Sequence, residues 1–206
     1  MEKFGKGKEY DDGELIFEGE YINGERNGKG KEYYDNDKLE FEGEYLNGKR
    51  NGKGKEYYSN GKLKFEGEYL NGERNGKGKE YDYNGQLKFE GEYLNGKRNG
   101  KGKEYFGEDK LLFEGEYLYG KEWDGKRYNL TNNNIEYILN KGKGYLKKYD
   151  NNGKLMFEGE YLYGEINGKG KEYYKNKLKF EGEYLYGKEW DGKGYNLNNN
   201  IEYILN

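Results

Sequence analysis

The chain has 206 residues, and its 37 basic and 40 acidic residues leave a formal net charge of −3. It contains no Cys, which excludes disulfides and thiolate metal sites, and no His, the commonest general base and metal ligand. The balanced charge and the 26 Tyr argue against disorder, and no stretch reaches the ~18 apolar residues of a membrane span. Residues 1–13 lack the apolar core of a secretory signal, so we expect a soluble, cytoplasmic protein.

The first predicted element is a strand at residues 4–10, FGKGKEY. It matches the second strand of a repeat that follows, but no first strand precedes it. An edge strand exposes unpaired N–H and C=O groups that invite pairing with another chain. Two interpretations stay open: the chain is cut from a longer repeat array, or this edge associates with another copy or a partner.

A repeat then occupies most of the chain. Its string FEGEY begins at Phe17, Phe41, Phe65, Phe89, Phe113, Phe157 and Phe180. Residues 63–69 alternate Leu, Phe, Gly and Tyr with Lys and Glu, which is typical of a half-buried strand. GKGKEY at 76–81 is the predicted partner strand, and NGERNG at 71–76 joins the two. Asn-Gly is a strong hairpin signal, so each repeat is predicted to be one antiparallel hairpin.

We therefore predict an all-β fold, an elongated, twisted, single antiparallel sheet of stacked β-hairpin repeats, with one repeat array over residues 1–206. A lone hairpin is marginal in water, so the repeats must stabilise one another through aromatic side chains on one face. A register that pairs Leu70 with Lys77 would place Tyr69 opposite Gly78. The predicted repeat-core residues are Phe41, Gly43, Tyr45, Phe65, Gly67, Tyr69, Phe89, Gly91 and Tyr93.

FEGEYLNGKRNGKGKEY at 41–57 resembles the MORN repeat, whose pattern runs aromatic-x-Gly-x-aromatic, then Asn-Gly, then Gly-x-Gly. The chain departs from that pattern at Glu56 and Glu80, where the family has an aromatic residue, and in a period one residue longer. The longer linker before Phe65 resembles the MORN-variant repeat of bacterial antitoxin-like proteins. The resemblance implies a scaffold at cytoskeletal or membrane-associated structures, an immunity protein that neutralises a toxin, or a phosphoinositide-binding protein.

The repeat is interrupted at residues 121–150, and the start of this insertion recurs at 188–206. We predict an extra hairpin at about 124–143, closed by the polar loop TNNN, with Ile135, Tyr137 and Leu139 on one face. Two interpretations stay open: the tryptophans fill gaps in the sheet, or they form a partner site. The candidate partner-binding residues, which include the apolar strand at the C-terminus, are Trp123, Trp190, Ile135, Tyr137, Ile201 and Tyr203.

The charged residues favour a binding protein over an enzyme. Carboxylate pairs such as Glu66 and Glu68 recur in every repeat and alternate with Lys, as on a solvated face. We therefore predict no catalytic residue, cofactor or metal site. The Lys residues form no basic stripe, so we expect no nucleic-acid partner and only weak binding to membrane lipid. The expected partners are proteins, with a homo-oligomer through the edge strands as one possibility.

Overall fold

The computed structural model describes residues 3–107, 110–131, 133–150, 152–163 and 165–206. Within these ranges the chain forms strands and turns and no helix. The strands are β1 (Phe4–Asp11), β2 (Glu14–Ile22), β3 (Glu25–Tyr33), β4 (Leu39–Leu46), β5 (Lys49–Tyr57), β6 (Leu63–Leu70), β7 (Glu73–Tyr81), β8 (Leu87–Leu94), β9 (Lys97–Phe106), β10 (Lys110–Leu118), β11 (Lys121–Tyr128), β12 (Ile135–Asn140), β13 (Lys143–Tyr149), β14 (Leu155–Leu162), β15 (Glu165–Tyr174), β16 (Lys177–Leu185), β17 (Lys188–Tyr195) and β18 (Ile201–Leu205). The predicted fold class, an all-β antiparallel sheet of stacked β-hairpins, is confirmed.

The chain divides into two compact units, the first ending at residue 111 and the second covering 112–206. In unit 1, β1 to β9 pair in chain order, each antiparallel to the next. In unit 2, β10 to β18 pair in the same way. Both units use the same hairpin repeat, and the extension of one array over residues 1–206 stays a prediction.

Two kinds of turn connect the strands of unit 1. Asn71 and Gly72 form a two-residue turn, and both have the positive φ, 53° and 93°, that such a turn demands. At the other end of β7, the amide of Asp82 donates to the carbonyl of Gln86, which closes a three-residue loop with Gly85 at φ 85°. Both turns depend on Gly or Asn, the residues that tolerate a positive φ at least cost.

The linker predicted at 71–76 is too long, because β7 already begins at Glu73. The second Asn-Gly pair lies inside the strand, where Gly76 has a φ of 91°. The register shifts here, since Gly67 pairs with Gly78 while Tyr69 pairs with Arg74. The predicted pairing of Leu70 with Lys77 is therefore wrong. A β-bulge absorbs the extra residues and increases the local twist of the strand.

The core of unit 1 is a row of aromatic rings on one face of the sheet. Phe17, Phe41, Phe65 and Phe89 have no exposed surface, and Tyr45, Tyr69 and Tyr93 are at most 5% exposed. Each Phe ring covers a pair of glycines: a Cβ on Gly43 would lie 2.7 Å from Cζ of Phe41 and 2.8 Å from Cα of Gly54. Glycine is required at these paired positions because the ring occupies the space of a side chain.

Candidate interaction surfaces

On the aromatic face, Phe17, Phe41 and Phe65 are each enclosed by two Tyr rings and one Arg side chain. Tyr45 and Tyr69 meet Phe41 edge-on, with ring centroids 5.7 and 5.2 Å away. The guanidinium of Arg50 lies over the same ring, 4.1 Å from its centroid, as a cation–π contact. The same contact recurs with Arg26, Arg74 and Arg98 over their own Phe rings, at 4.0 to 4.2 Å.

Each of these arginines pairs with a buried or half-buried glutamate. Arg74 donates to both carboxylate oxygens of Glu56, at 2.8 and 3.1 Å, and Tyr69 Oη donates to one of them at 2.6 Å. Burial raises the pKa of Glu56, but the hydrogen bonds from Arg74 and Tyr69 outweigh it and lower that pKa to about 2. The MORN pattern has an aromatic residue at the positions of Glu56 and Glu80. In this chain each of these glutamates is instead the counter-ion of an arginine that covers a core Phe ring.

The opposite face of unit 1 carries a groove of about 1120 Å³. Its lining is a Glu-Gly-Glu triplet from β2, β4, β6 and β8, a Lys-Gly-Lys triplet from β1, β3, β5 and β7, and Lys101 of β9. We call this surface the glycine groove: the glycines form its floor, and the charged residues on either side form its two rims. In the centre, Gly43 pairs with Gly54 while Glu42 pairs with Lys55. The rims therefore alternate in sign from strand to strand.

The rim carboxylates are held in place by hydrogen bonds. Tyr57 Oη donates to Glu42 at 2.7 Å, and Tyr81 Oη donates to Glu66 at 2.8 Å. Desolvation and the bond to Glu42 raise the pKa of Tyr57 to about 12, so this phenol stays protonated and keeps donating. On the other rim, Glu20 accepts the amide of Lys29 at 2.9 Å. The rim lysines at positions 29, 31, 53, 55, 77 and 79 are exposed to solvent.

The two tryptophans are matching bulge residues of unit 2. Trp123 is the extra residue of the β10–β11 pair, and Trp190 is the extra residue of β16–β17. The Trp123 ring stacks on Tyr163, with centroids 5.5 Å apart and planes 4° from parallel. Trp190 is 62% exposed. The same sequence motif is therefore half-buried in one copy and exposed in the other.

The remaining candidate partner residues belong to strands that follow each tryptophan. Tyr137 is half-buried in β12 and donates to Glu122 at 2.6 Å, whereas Ile135 of the same strand is 49% exposed. In β18, Tyr203 donates to Glu189 at 2.7 Å, and Ile201 is 52% exposed. The structure thus distributes the six candidates over two copies of one segment instead of one site. Residue 132 of the predicted TNNN loop lies outside the described residues.

Sequence reasoning did not identify the arginines over the Phe rings. The signal was present, because Arg26, Arg50, Arg74 and Arg98 recur at the repeat period, but they lay in a segment interpreted as a turn. In the part of the chain that the structure describes, no group of three acidic side chains could hold a metal ion, and no helix is long and apolar enough to span a membrane.

Comparison with known families agrees with this geometry. The MORN repeat model matches residues 17–38, 41–62, 65–87, 89–108 and 157–179, which together are more than half of the chain. A model of the MORN repeat variant matches residues 143–163. The chain therefore belongs to the MORN repeat family. No curated protein matches it.

Proposed function

We propose that this chain is a non-enzymatic, protein-binding scaffold and that the glycine groove of unit 1 binds a segment of the partner polypeptide. The observation that carries this proposal is the continuity of the groove over the strands from β1 to β9. Pockets for small molecules are concave cavities that enclose most of the ligand. This groove is instead an open channel with charged rims that crosses the strands from β1 to β9, which suits an extended polypeptide.

The repeated environment of the rim carboxylates supports binding over catalysis. General acid–base chemistry needs two groups whose surroundings push their pKa values apart. Glu42 and Glu66 occupy matching positions, and each accepts a hydrogen bond from a Tyr on the partner strand of its own hairpin. The alternating signs also favour a protein partner over anionic lipid, because attraction to a lipid surface requires clustered basic residues.

A pull-down from a lysate of the source organism tests the proposal. The bait is the tagged chain, and the groove variant carries Lys53→Glu and Lys77→Glu, two exposed rim positions. The matched control carries Lys49→Glu and Lys97→Glu, which change the charge equally at exposed sites outside the groove. We expect a stoichiometric partner that the groove variant loses and the control keeps.

The other outcomes decide against the groove or refine the function. A partner that both variants retain, or that both lose, would contradict binding in the groove. Capture of one small toxin-like enzyme would make the chain an immunity protein. Cytoskeletal or organelle proteins among the stoichiometric partners would support the scaffold.

A second candidate function is self-association at β18, favoured by its exposed apolar side chains. Ile201 and Ile204 are 52% and 56% exposed, and Trp190 lies in the adjacent β17. Pairing along this strand would bury these groups and satisfy backbone N–H and C=O groups. Light scattering would then give a mass above that of one chain, 24.3 kDa, and Ile204→Glu would restore the monomer. A strict monomer at high concentration excludes this function.

A further inference from the structure

The glycine groove has a regular charge period. Each strand presents the same sign on both rims, and neighbouring strands present opposite signs, as at Glu66, Gly67 and Glu68 beside Lys77, Gly78 and Lys79. Strands in a sheet lie about 4.8 Å apart, so equal charges recur about every 9.6 Å along the groove. A ligand that pairs with successive charge bands must repeat at nearly the same distance.

The regular polypeptide conformations differ in how well they meet this period. In a β-strand, side chains on one face recur about every 6.8 Å, and one turn of an α-helix rises about 5.4 Å. The polyproline II helix has three residues per turn and rises about 3.1 Å per residue, so its period is about 9.3 Å. Along the groove, the 9.3 Å period of this helix and the 9.6 Å period of the charges therefore differ by only about 0.3 Å per turn.

The width and lining of the groove favour the same conformation. The two rims are side chains of residues two apart in a strand, such as Glu42 and Glu44, whose Cα atoms are about 6.8 Å apart. An α-helix with side chains is about 10–12 Å wide and would have to displace the rims to reach the glycines. A polyproline II segment makes no internal hydrogen bonds, so its free carbonyls can accept from rim ammonium groups and its free amides can donate to rim carboxylates.

We propose that the glycine groove binds a polyproline II segment with a three-residue sequence period, in which every triplet contains one basic and one acidic residue. This inference rests on the proposed function, because it names the class of polypeptide that the groove takes. A cationic residue in each triplet lies against the Glu strands and an acidic residue lies against the Lys strands. The interval from β1 to β9 is about 38 Å, which matches about twelve residues in this conformation.

Three labelled twelve-residue peptides test the proposal by fluorescence anisotropy with the full chain. The first is four repeats of Pro-Lys-Glu. The second has the same composition in an order without a three-residue period, and the third alternates Lys and Glu without Pro. We expect the first peptide to bind at least tenfold more tightly than the other two, and to weaken as salt screens the rims. Lys53→Glu with Lys77→Glu should weaken it at least tenfold, whereas Lys49→Glu with Lys97→Glu should leave it unchanged.

The arms of this experiment separate the two proposals. Equal binding of the periodic and permuted peptides, or no binding of any, overturns the polyproline II inference. If the pulled-down partner still depends on the groove lysines in that case, the proposed function stands. If neither the partner nor the peptide responds to the groove variant, both proposals fail.

Discussion

Unit 1 repeats one set of contacts with almost no change, whereas unit 2 keeps the rings and alters what surrounds them. Tyr45 pairs with Arg50 in unit 1, but the matching partners in unit 2 are Glu122, Ile166 and Glu189. The unit 2 rings are still buried, since Phe113 and Phe180 have no exposed surface. The paired glycines and the Phe ring therefore define the repeat. Unit 1 places an arginine opposite the core tyrosine, whereas the arginine–glutamate pair of unit 2, Arg127 with Glu122, has its arginine opposite Phe113.

The two-residue turns also follow one pattern in unit 1 and depart from it in unit 2. Unit 1 places Asn, as at Asn71, or in one case Asp12 at the first position of its two-residue turns. Unit 2 places Tyr there three times, at Tyr119, Tyr163 and Tyr186, with φ of 49° to 52°. A bulky residue with a positive φ is a conformational outlier. Unit 1 is thus built for regular repetition, and unit 2 presents aromatic side chains at some cost in backbone strain.

The largest expected effect comes from removing one arginine of unit 1. Arg74→Ala leaves the buried Glu56 without its main partner and should lower the free energy of unfolding by about 3 kcal/mol. The double variant Arg74→Leu with Glu56→Leu removes both charges and should recover most of that loss. Urea denaturation of the three proteins measures both effects. A cost below about 1 kcal/mol for the single variant would show that the pair behaves as a surface ion pair.

Acid should destabilise unit 1 through the same glutamate. The folded pKa of Glu56 is about 2 against an ordinary value of 4.5, so its contribution is present above pH 4.5 and is lost as the pH falls from 4.5 to 2. The contribution is on the order of 3 kcal/mol. Urea denaturation between pH 2 and pH 7 should show a flatter profile for Glu56→Gln than for the native chain. Identical slopes in this window would contradict the assignment.

The two tryptophans should differ although their sequence surroundings match. Trp123→Ala removes a ring stacked on Tyr163 and should cost about 1–2 kcal/mol. Trp190→Ala removes an exposed ring and should change stability by less than about 0.5 kcal/mol. Thermal unfolding of both variants checks this difference. Equal losses would mean that Trp190 also has a structural role.

The smallest effect should come from exchanging turn residues between the units. Tyr186→Asn relaxes a positive-φ position at an exposed side chain and should stabilise unit 2 by about 0.5–1 kcal/mol. The reverse change, Asn71→Tyr, should destabilise unit 1 by a similar amount. Paired calorimetric scans would detect shifts of opposite sign. Shifts of the same sign would show that Tyr186 makes contacts that offset its backbone strain.

Much of the fold followed from local patterns in the sequence. Alternation around Phe65 and the Asn-Gly turns predicted the strands, because each apolar position and each turn recurs at a fixed spacing. The register did not follow, since the bulge at Gly76 depends on pairing with another strand. The position of Arg74 over Phe65 depends on that bulge, so it could not be predicted from the sequence. The groove depends on nine strands at once and had no local signal.

Because every repeat of unit 1 makes the same contacts, the groove can be lengthened or shortened by whole repeats. From Phe41 to Phe65 the chain closes one complete set of ring, arginine and glycine contacts, and the next set starts without alteration. Duplication or loss of such a 24-residue block in the gene would change the groove by about 9.6 Å and leave every remaining neighbour the same. Recombination between near-identical repeats would therefore change the length of the groove without disrupting the aromatic core.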